Sequence, residues 1–355
     1  MTISEICIGN KFIGEGHPTF FIAEVACAHE GNFDVALKMI DAAVEANADA
    51  VKFQIINREA YMVPSHPIYP IVEKVEFTPV QWRELRAYAR QRGILFFADG
   101  YDVPSTCLAA EIKVDALKIH SSDLTNHEAI EEAAKTMLPL FLGVGSTTMD
   151  EISAAISLVR KYHNNIVIMH GYQAFPTKLD GLNFNFLKTL KAAYSLPVGI
   201  LDHTEGETFM STVIPLLTPF VGAQVIEKHF VLDRSLKGID YESSVNPDTL
   251  REIVDNLRKV EMTRGSGFPV VNFNKEEQKY RDLMKKAIVA VRDIQAGEIL
   301  TREMIAFKRA GPGLRPMDVE TILGMRTVRA FHTNEKIVME GLQKDLQAKR
   351  EGNLQ

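Results

Sequence analysis

The chain has 355 residues, a formal net charge of -6 and 46% hydrophobic residues, so it is long enough for two domains and ordinary in composition for a globular protein. The acidic balance gives no basis for nucleic-acid binding, and no apolar run approaches the roughly 20 residues that span a bilayer. Met1 to Glu5 lack the basic start and apolar core of a secretion signal, and three cysteines without paired spacing (Cys7, Cys27, Cys107) suit a reducing cytoplasm rather than a disulfide framework or a zinc site.

Eight short apolar runs punctuate residues 20 to 230. In chain order they are Phe20 to Glu24, Ala50 to Lys52, Ile94 to Asp99, Ala116 to Lys118, Leu140 to Gly143, Ile166 to His170, Val198 to His203 and Val225 to His229. Helix-period stretches separate them, as in the stripe Leu37, Ile40, Ala43, Val44. This is the pattern of an α/β fold, a TIM (β/α)8 barrel, whose strand ends converge on one mouth. Helix starts are expected at Thr78-Pro79 with Gln81, and at three further capping boxes, Thr125 with Glu128, Thr148 with Glu151 and Thr204 with Glu207. Asn246-Pro247 opens a last long helix running to about Arg264. The connection 55–77, with Pro64, Pro67, Pro70, Tyr61, Tyr69 and Phe77, is long enough to serve as a lid or as a surface excursion.

After Arg264 the pattern changes. A linker over 265–284 leads to short β segments, Ala287 to Val291 and Ile305 to Lys308, with turns at Gln295-Ala296-Gly297 and Gly311-Pro312-Gly313. The expected division is a barrel with an N-terminal lead-in over 1–264, the linker, a small β-rich C-terminal module over 285–345 and a polar tail over 346–355. A module of about 60 residues is near the minimum for independent folding and is expected to lean on another surface.

The strand ends carry the chemistry. His203 and His229 close neighbouring runs, which brings their rings together as ligands for a divalent metal with coordination positions left open. The alternative is two unrelated histidines. Lys52, Lys118 and Lys228 also end strands and together read as an anion site, with Ser121, Ser122 and the loop Gly145 to Thr148 ahead of a capped helix as further donors; some of these lysines can instead face solvent. Glu24 and Asp123 are acidic candidates for holding a sugar hydroxyl or moving a proton, or for pairing with Lys52 or Lys118.

Several of these pieces resemble the sialic acid synthase family. They are Phe21-Ile22-Ala23-Glu24 with His29-Glu30-Gly31, Ala48-Asp49-Ala50-Val51-Lys52-Phe53-Gln54, Leu117-Lys118-Ile119 with Ser121, Asp202-His203-Thr204, and Gly222 to Phe230. Lys308-Arg309 with Gly311 resembles the C-terminal SAF, or antifreeze-like, domain of that family. The resemblance implies condensation of phosphoenolpyruvate with an open-chain amino sugar, N-acetylmannosamine or a related aldose, to a nine-carbon 2-keto acid with release of phosphate. It implies Mn2+ or Mg2+ on His203 and His229. It also implies donor contacts from Lys52, Lys118 and Ser121, acidic roles for Glu24 and Asp123, and an acceptor contact from Asp240. Arg309 corresponds to an arginine that the SAF domain of one subunit extends over the barrel of the other, so a domain-swapped homodimer is expected.

The chain departs from the family pattern at four positions. Gly143 stands where a serine is usual, Gln173 and Phe175 where asparagine and tyrosine are common, and Leu201 replaces a serine before Asp202-His203. Gln173 can reach where asparagine would, and Ser146 can supply the missing hydroxyl. Two other readings use the same residues: a Schiff-base pyruvate aldolase acting through a strand-end lysine, and a non-catalytic sugar- or anion-binding protein on the same fold.

Overall fold

The computed structural model describes residues 5–265 and 272–344. The chain divides into two units, Met1–Ser266 and Gly267–Gln355. In the first, β1 (Ile6–Ile8) and β2 (Lys11–Ile13) pair as an antiparallel hairpin. Eight strands follow: β3 (Phe20–Ala26), β4 (Ala50–Ile55), β5 (Leu95–Gly100), β6 (Ala116–Ile119), β7 (Leu140–Gly143), β8 (Ile166–His170), β9 (Val198–Asp202) and β10 (Val225–His229). They pair in parallel in chain order, and β10 closes on β3. Each strand is buried on both faces, which is why each reads as a near-continuous apolar run rather than an alternating one.

Inside the barrel, Phe97 stacks on Phe20 and packs against Phe141, with ring centroids 5.6 and 5.1 Å apart. Ile6, Ile8 and Ile13 of the hairpin join this inner cluster and close the N-terminal end of the barrel. With that end plugged, the opposite end is the one free to hold a site.

Two of the four expected capping boxes form, at Thr78 with Gln81 and Thr148 with Glu151. The other two do not. Asn126, not Thr125, accepts the Ala129 N–H and starts its helix. Thr204 gives its N–H and hydroxyl to Asp202 directly after β9, and the helix begins later, at Phe209. The connection 55–77 folds into two short helices, Arg58–Tyr61 and Tyr69–Val75. It packs so closely on the loop after β3 that a Cβ on Gly31, at φ +76, would fall 2.0 Å from the Lys74 carbonyl oxygen.

The stretch 265–284, read as a linker, carries the helix Lys275–Met284, which lies in the second unit. β11 (Lys286–Ala290) pairs antiparallel with β12 (Ile305–Arg309), and β13 (Arg326–Thr327) with β14 (Leu342–Gln343). Ile288, Ile294, Leu300, Phe331 and Ile337 form its own core. The polar tail 346–355, most of the Met1 to Glu5 start and most of the Gly265 to Pro269 turn lie outside the described residues. No helix among the described residues is long and apolar enough to cross a membrane.

Asp49, buried ahead of β4, ties the base of the barrel together. Its carboxylate accepts the Phe21 N–H at 2.7 Å, the Arg258 guanidinium at 2.7 Å and the Lys11 ammonium at 2.6 Å. Asp49→Ala is expected to cost about 2 kcal/mol of stability, because it leaves a buried N–H without an acceptor. Urea unfolding checks this, and Arg258→Ala, whose guanidinium is partly exposed, is expected to cost less.

Candidate active site

Side chains alternate along a strand, so every second residue of each barrel strand points inward. At the C-terminal end this turns Glu24, Lys52, Asp99, Lys118, Glu227 and His229 inward, with Glu227 one inward step below His229. The register places His229 beside Glu24, Glu24 beside Lys52, and Asp99 beside Lys118. Above them opens a cavity of about 330 Å³, lined also by His203, His120, Tyr101, Phe175, Leu201 and Asp240.

The floor is a buried ion network. The Lys52 ammonium contacts Glu24, lies 2.9 Å from Asp99 Oδ2 and 3.4 Å from Glu227 Oε1. Lys118 sits 2.8 Å from Glu227 Oε1 and 3.6 Å from Asp99 Oδ2. Burial works against charge on Lys52, but Asp99, Glu227 and Glu24 together hold it well above the ordinary lysine range. Burial likewise opposes ionisation of Asp99, and Lys118 and Lys52 outweigh it, leaving its pKa lowered. Glu24 goes the other way. Burial, opposed by Lys52 and reinforced by Glu227 and Asp99, pushes its carboxyl up to about 8, so it keeps a proton at neutral pH.

His203 and His229 have ring centroids 5.2 Å apart. His203 Nδ1 lies 3.3 Å from the Tyr172 carbonyl oxygen. A carbonyl can only accept, so Nδ1 carries the proton and Nε2 keeps its lone pair. Burial pushes His203 down to about 4, and burial with the adjacent His203 holds His229 well below the usual range. Both are therefore neutral imidazoles, the form that binds a metal. Among the described residues no group of three or more His, Cys, Asp or Glu side chains forms a metal cluster, so an ion here would complete its shell with water or substrate. Phe175 packs 4.3 Å from the His203 ring and covers it from the mouth.

The structure corrects the reading of Lys228. It precedes His229 and so points out of the barrel, where it pairs with Asp202 Oδ2 at 3.0 Å and with the Thr204 hydroxyl at 3.2 Å. Two lysines, not three, face the cavity. The same alternation would have picked out Glu227, two residues before His229, and Asp99, two before Tyr101. Both lay within recognised runs and were passed over, as were His120 and Tyr101.

The remaining candidates scatter around this centre. Ser121 and Gln173 do not line the cavity; Ser121 is buried, and its Oγ accepts the Gly145 N–H and the Gln173 amide, each at 3.2 Å. A Cβ on Gly143 would fall 2.7 Å from that Oγ, so Ser121 fills the space a side chain there would need. Ser146 is exposed on the following loop and does not line the cavity. Asp123 is half-buried at the turn Ser121–Asp123, with its carboxyl pushed up mainly by burial, and its charge acts on the cavity residue Tyr61. Asp240 lines the cavity, and burial with neighbouring Glu242 pushes its carboxyl up to about 6. Arg309 is exposed at the end of β12 in the second unit.

Comparison with known proteins agrees with this geometry. The profile of the NeuB family matches residues 39–268, and that of the SAF domain matches residues 285–343. The N,N'-diacetyllegionaminic acid synthase of Legionella pneumophila is 31% identical over 90% of this chain and 93% of its own length. The human N-acetylneuraminate-9-phosphate synthase is 30% identical over 95% of this chain and 96% of its own. The crystal structure of the N-acetylneuraminic acid synthetase of Leptospira borgpetersenii, 34% identical, superposes with a TM-score of 0.73 over 79% of this chain and 98% of that one. The chain belongs to the NeuB family and carries an SAF domain after its barrel.

Proposed function

We propose that the chain is a metal-dependent synthase that condenses phosphoenolpyruvate with an open-chain amino sugar, N-acetylmannosamine or a related aldose, forming a nine-carbon 2-keto acid and phosphate. The observation that carries this is one cavity whose floor combines two ammonium groups, a protonated carboxyl and two neutral imidazoles. The family and the names of its relatives support it.

Lys52 and Lys118 would hold the anionic donor, with Ser121, which accepts from Gln173, as a further contact. Glu24 would give its proton to the aldehyde oxygen as carbon three of the donor bonds to the aldehyde carbon. The Glu24 carboxylate then takes a proton from the water that adds at carbon two. The carbon–oxygen bond to phosphate breaks, and phosphate leaves with the hydroxyl proton, which completes the ketone and leaves Glu24 as it began. Asp240 and Asp123 would hold acceptor hydroxyls. His203 and His229 would hold Mn2+ or Mg2+, which when bound polarises the aldehyde. Lys52 and Lys118 are matched on the floor by Asp99 and Glu227, so a divalent cation would supply the net positive charge that attracts an anion.

A Schiff-base aldolase needs a neutral amine in the cavity. Lys52 is held charged, Lys118 is paired with Glu227 at 2.8 Å, and Lys228, whose pKa burial lowers, points away. Three free cysteines, Cys7, Cys27 and Cys107, support a cytoplasmic setting. Arg309, exposed on the small SAF unit, supports a domain-swapped homodimer in which it completes the partner's site.

Phosphate release should require both substrates and divalent metal. Chelation or His229→Ala is expected to reduce it on the order of 10²-fold or more, and undiminished turnover in chelator would remove the metal from the reading. Glu24 carries its proton below a pKa of about 8, so kcat is expected to fall as pH rises through that value. Glu24→Gln should lower kcat roughly 10²–10⁴-fold and abolish the alkaline limb of the profile. Mixing inactive Arg309→Ala and His229→Ala proteins should restore roughly a quarter of the wild-type activity, since a swapped mixed dimer has one intact site; no restoration would exclude the swap.

A further inference from the structure

The synthase reading leaves one proton without a carrier: the hydroxyl proton at carbon two, which has to reach the departing phosphate. Resting on that reading, we propose that His120, Ser122 and Asp123 form a proton relay, in which His120 Nε2 takes this proton from the hydroxyl and returns it to the phosphate oxygen.

His120 stands two residues after Lys118 of β6, so it faces the same way one step nearer the mouth, and it lines the cavity. A donor held by Lys118 therefore meets His120 next. Tyr101 packs on the imidazole with ring centroids 5.2 Å apart, and Tyr61 packs on Tyr101 at 4.9 Å, which fixes the plane of the ring. His120 Nδ1 lies 2.9 Å from Ser122 Oγ, and that hydroxyl donates to Asp123 Oδ2 at 2.6 Å. A hydroxyl has one proton, and here the carboxylate claims it. Nδ1 therefore donates to Oγ, and Nε2 keeps its lone pair. Among the described residues Nε2 has no hydrogen-bond partner, so it is the nitrogen left for substrate.

A cation on this ring would be costly. Burial, helped by Lys118 and Lys52 and opposed by Asp99 and Glu227, pushes His120 down to about 4. The relay avoids the cation. As Nε2 takes the hydroxyl proton, Nδ1 passes its own to Oγ, and Oγ passes its own to Asp123 Oδ2. The imidazole stays neutral and the carboxylate is neutralised instead, at a residue whose pKa burial raises. The Ser122 N–H, 3.3 Å from Nδ1, gains an acceptor once Nδ1 has given up its proton. The carbon–oxygen bond to phosphate breaks with its electron pair going to phosphate, and the carbonyl forms at carbon two. Running the relay backwards then puts the proton on phosphate and leaves all three residues as they began. Direct transfer between two oxygens on the same carbon would need a strained small ring, which the imidazole circumvents.

The test uses the full-length protein with phosphoenolpyruvate, the aldose and divalent metal. His120→Gly is expected to lower kcat about 10²-fold or more while both KM values change less than about twofold. Added imidazole should restore its turnover in proportion to concentration, which a residue needed only for packing would not allow. Ser122 is exposed, so Ser122→Ala leaves the fold alone; it should lower kcat about tenfold, and Ser122→Thr, which keeps the hydroxyl, should retain the wild-type rate. Nitrogen NMR of the histidine-labelled protein should show His120 protonated on Nδ1 and bare on Nε2. The proposal is overturned if His120→Gly keeps its kcat or gains nothing from imidazole, if Ser122→Ala turns over like Ser122→Thr, or if the proton is found on Nε2. Phosphate release by the wild type separates the two claims. The expected His120 tautomer without phosphate release would defeat the synthase reading and leave the relay standing as a proton acceptor at the cavity.

Discussion

The site depends on holding two lysine side chains inside a barrel. Moving a charge out of water costs several kcal/mol even after relaxation, and only close, well-placed countercharges offset it. Lys52 and Lys118 meet that condition by sharing Asp99 and Glu227, with Glu24 as a third contact. None of these residues is near another in sequence. The closed barrel makes them neighbours by setting strands side by side in fixed register, so the network exists only when the whole barrel is formed. A network held this way is already organised before substrate arrives, which is the arrangement that electrostatic stabilisation of a reaction requires. Burial in the same floor is also what pushes the Glu24 carboxyl up, opposed by Lys52 and reinforced by Glu227 and Asp99.

Much of this was legible in the chain. Eight apolar runs ending in polar residues located the barrel and its functional end, because a parallel strand covered on both faces has no other sequence signature. The floor was only half legible. Reading the last residues of each run as a group placed Lys228 beside His229, although neighbours on a strand face opposite ways. Applying the period of two to Val225, Glu227 and His229 gives the inward set directly and turns Lys228 outward. Helix starts show a different limit. Thr204 and Thr125 match the capping pattern, but a strand-end aspartate claims the first and an adjacent asparagine displaces the second. Such competition is settled by tertiary neighbours that a local pattern does not contain.

The departures from the family pattern turn out to be coupled rather than independent losses. Gly143 lacks a hydroxyl, and Ser121 occupies the space its side chain would take. Gln173, longer than asparagine, reaches that same hydroxyl. The Ser121 hydroxyl is the polar group that remains on this strand pair, held by Gln173 and the Gly145 N–H. Phe175 has no hydroxyl to offer, but its ring lies on His203 and shields the imidazole from water. Leu201, inward-facing above the barrel core, adds an apolar side to the cavity. Together Phe175 and Leu201 place apolar groups beside the histidine pair.

Lys228, removed from the cavity, has its own place in the argument. It pairs in register with Asp202, and the two lie on adjacent strands one residue below His229 and His203. The salt bridge, with the Thr204 hydroxyl and carbonyl accepting from the same ammonium, ties the outer faces of β9 and β10 together at that level. Sliding either strand would break a fully buried ion pair, a cost of several kcal/mol. The outward pair therefore sets the height of the inward imidazoles. A lysine that touches nothing in the cavity helps decide whether two rings there can share one ion.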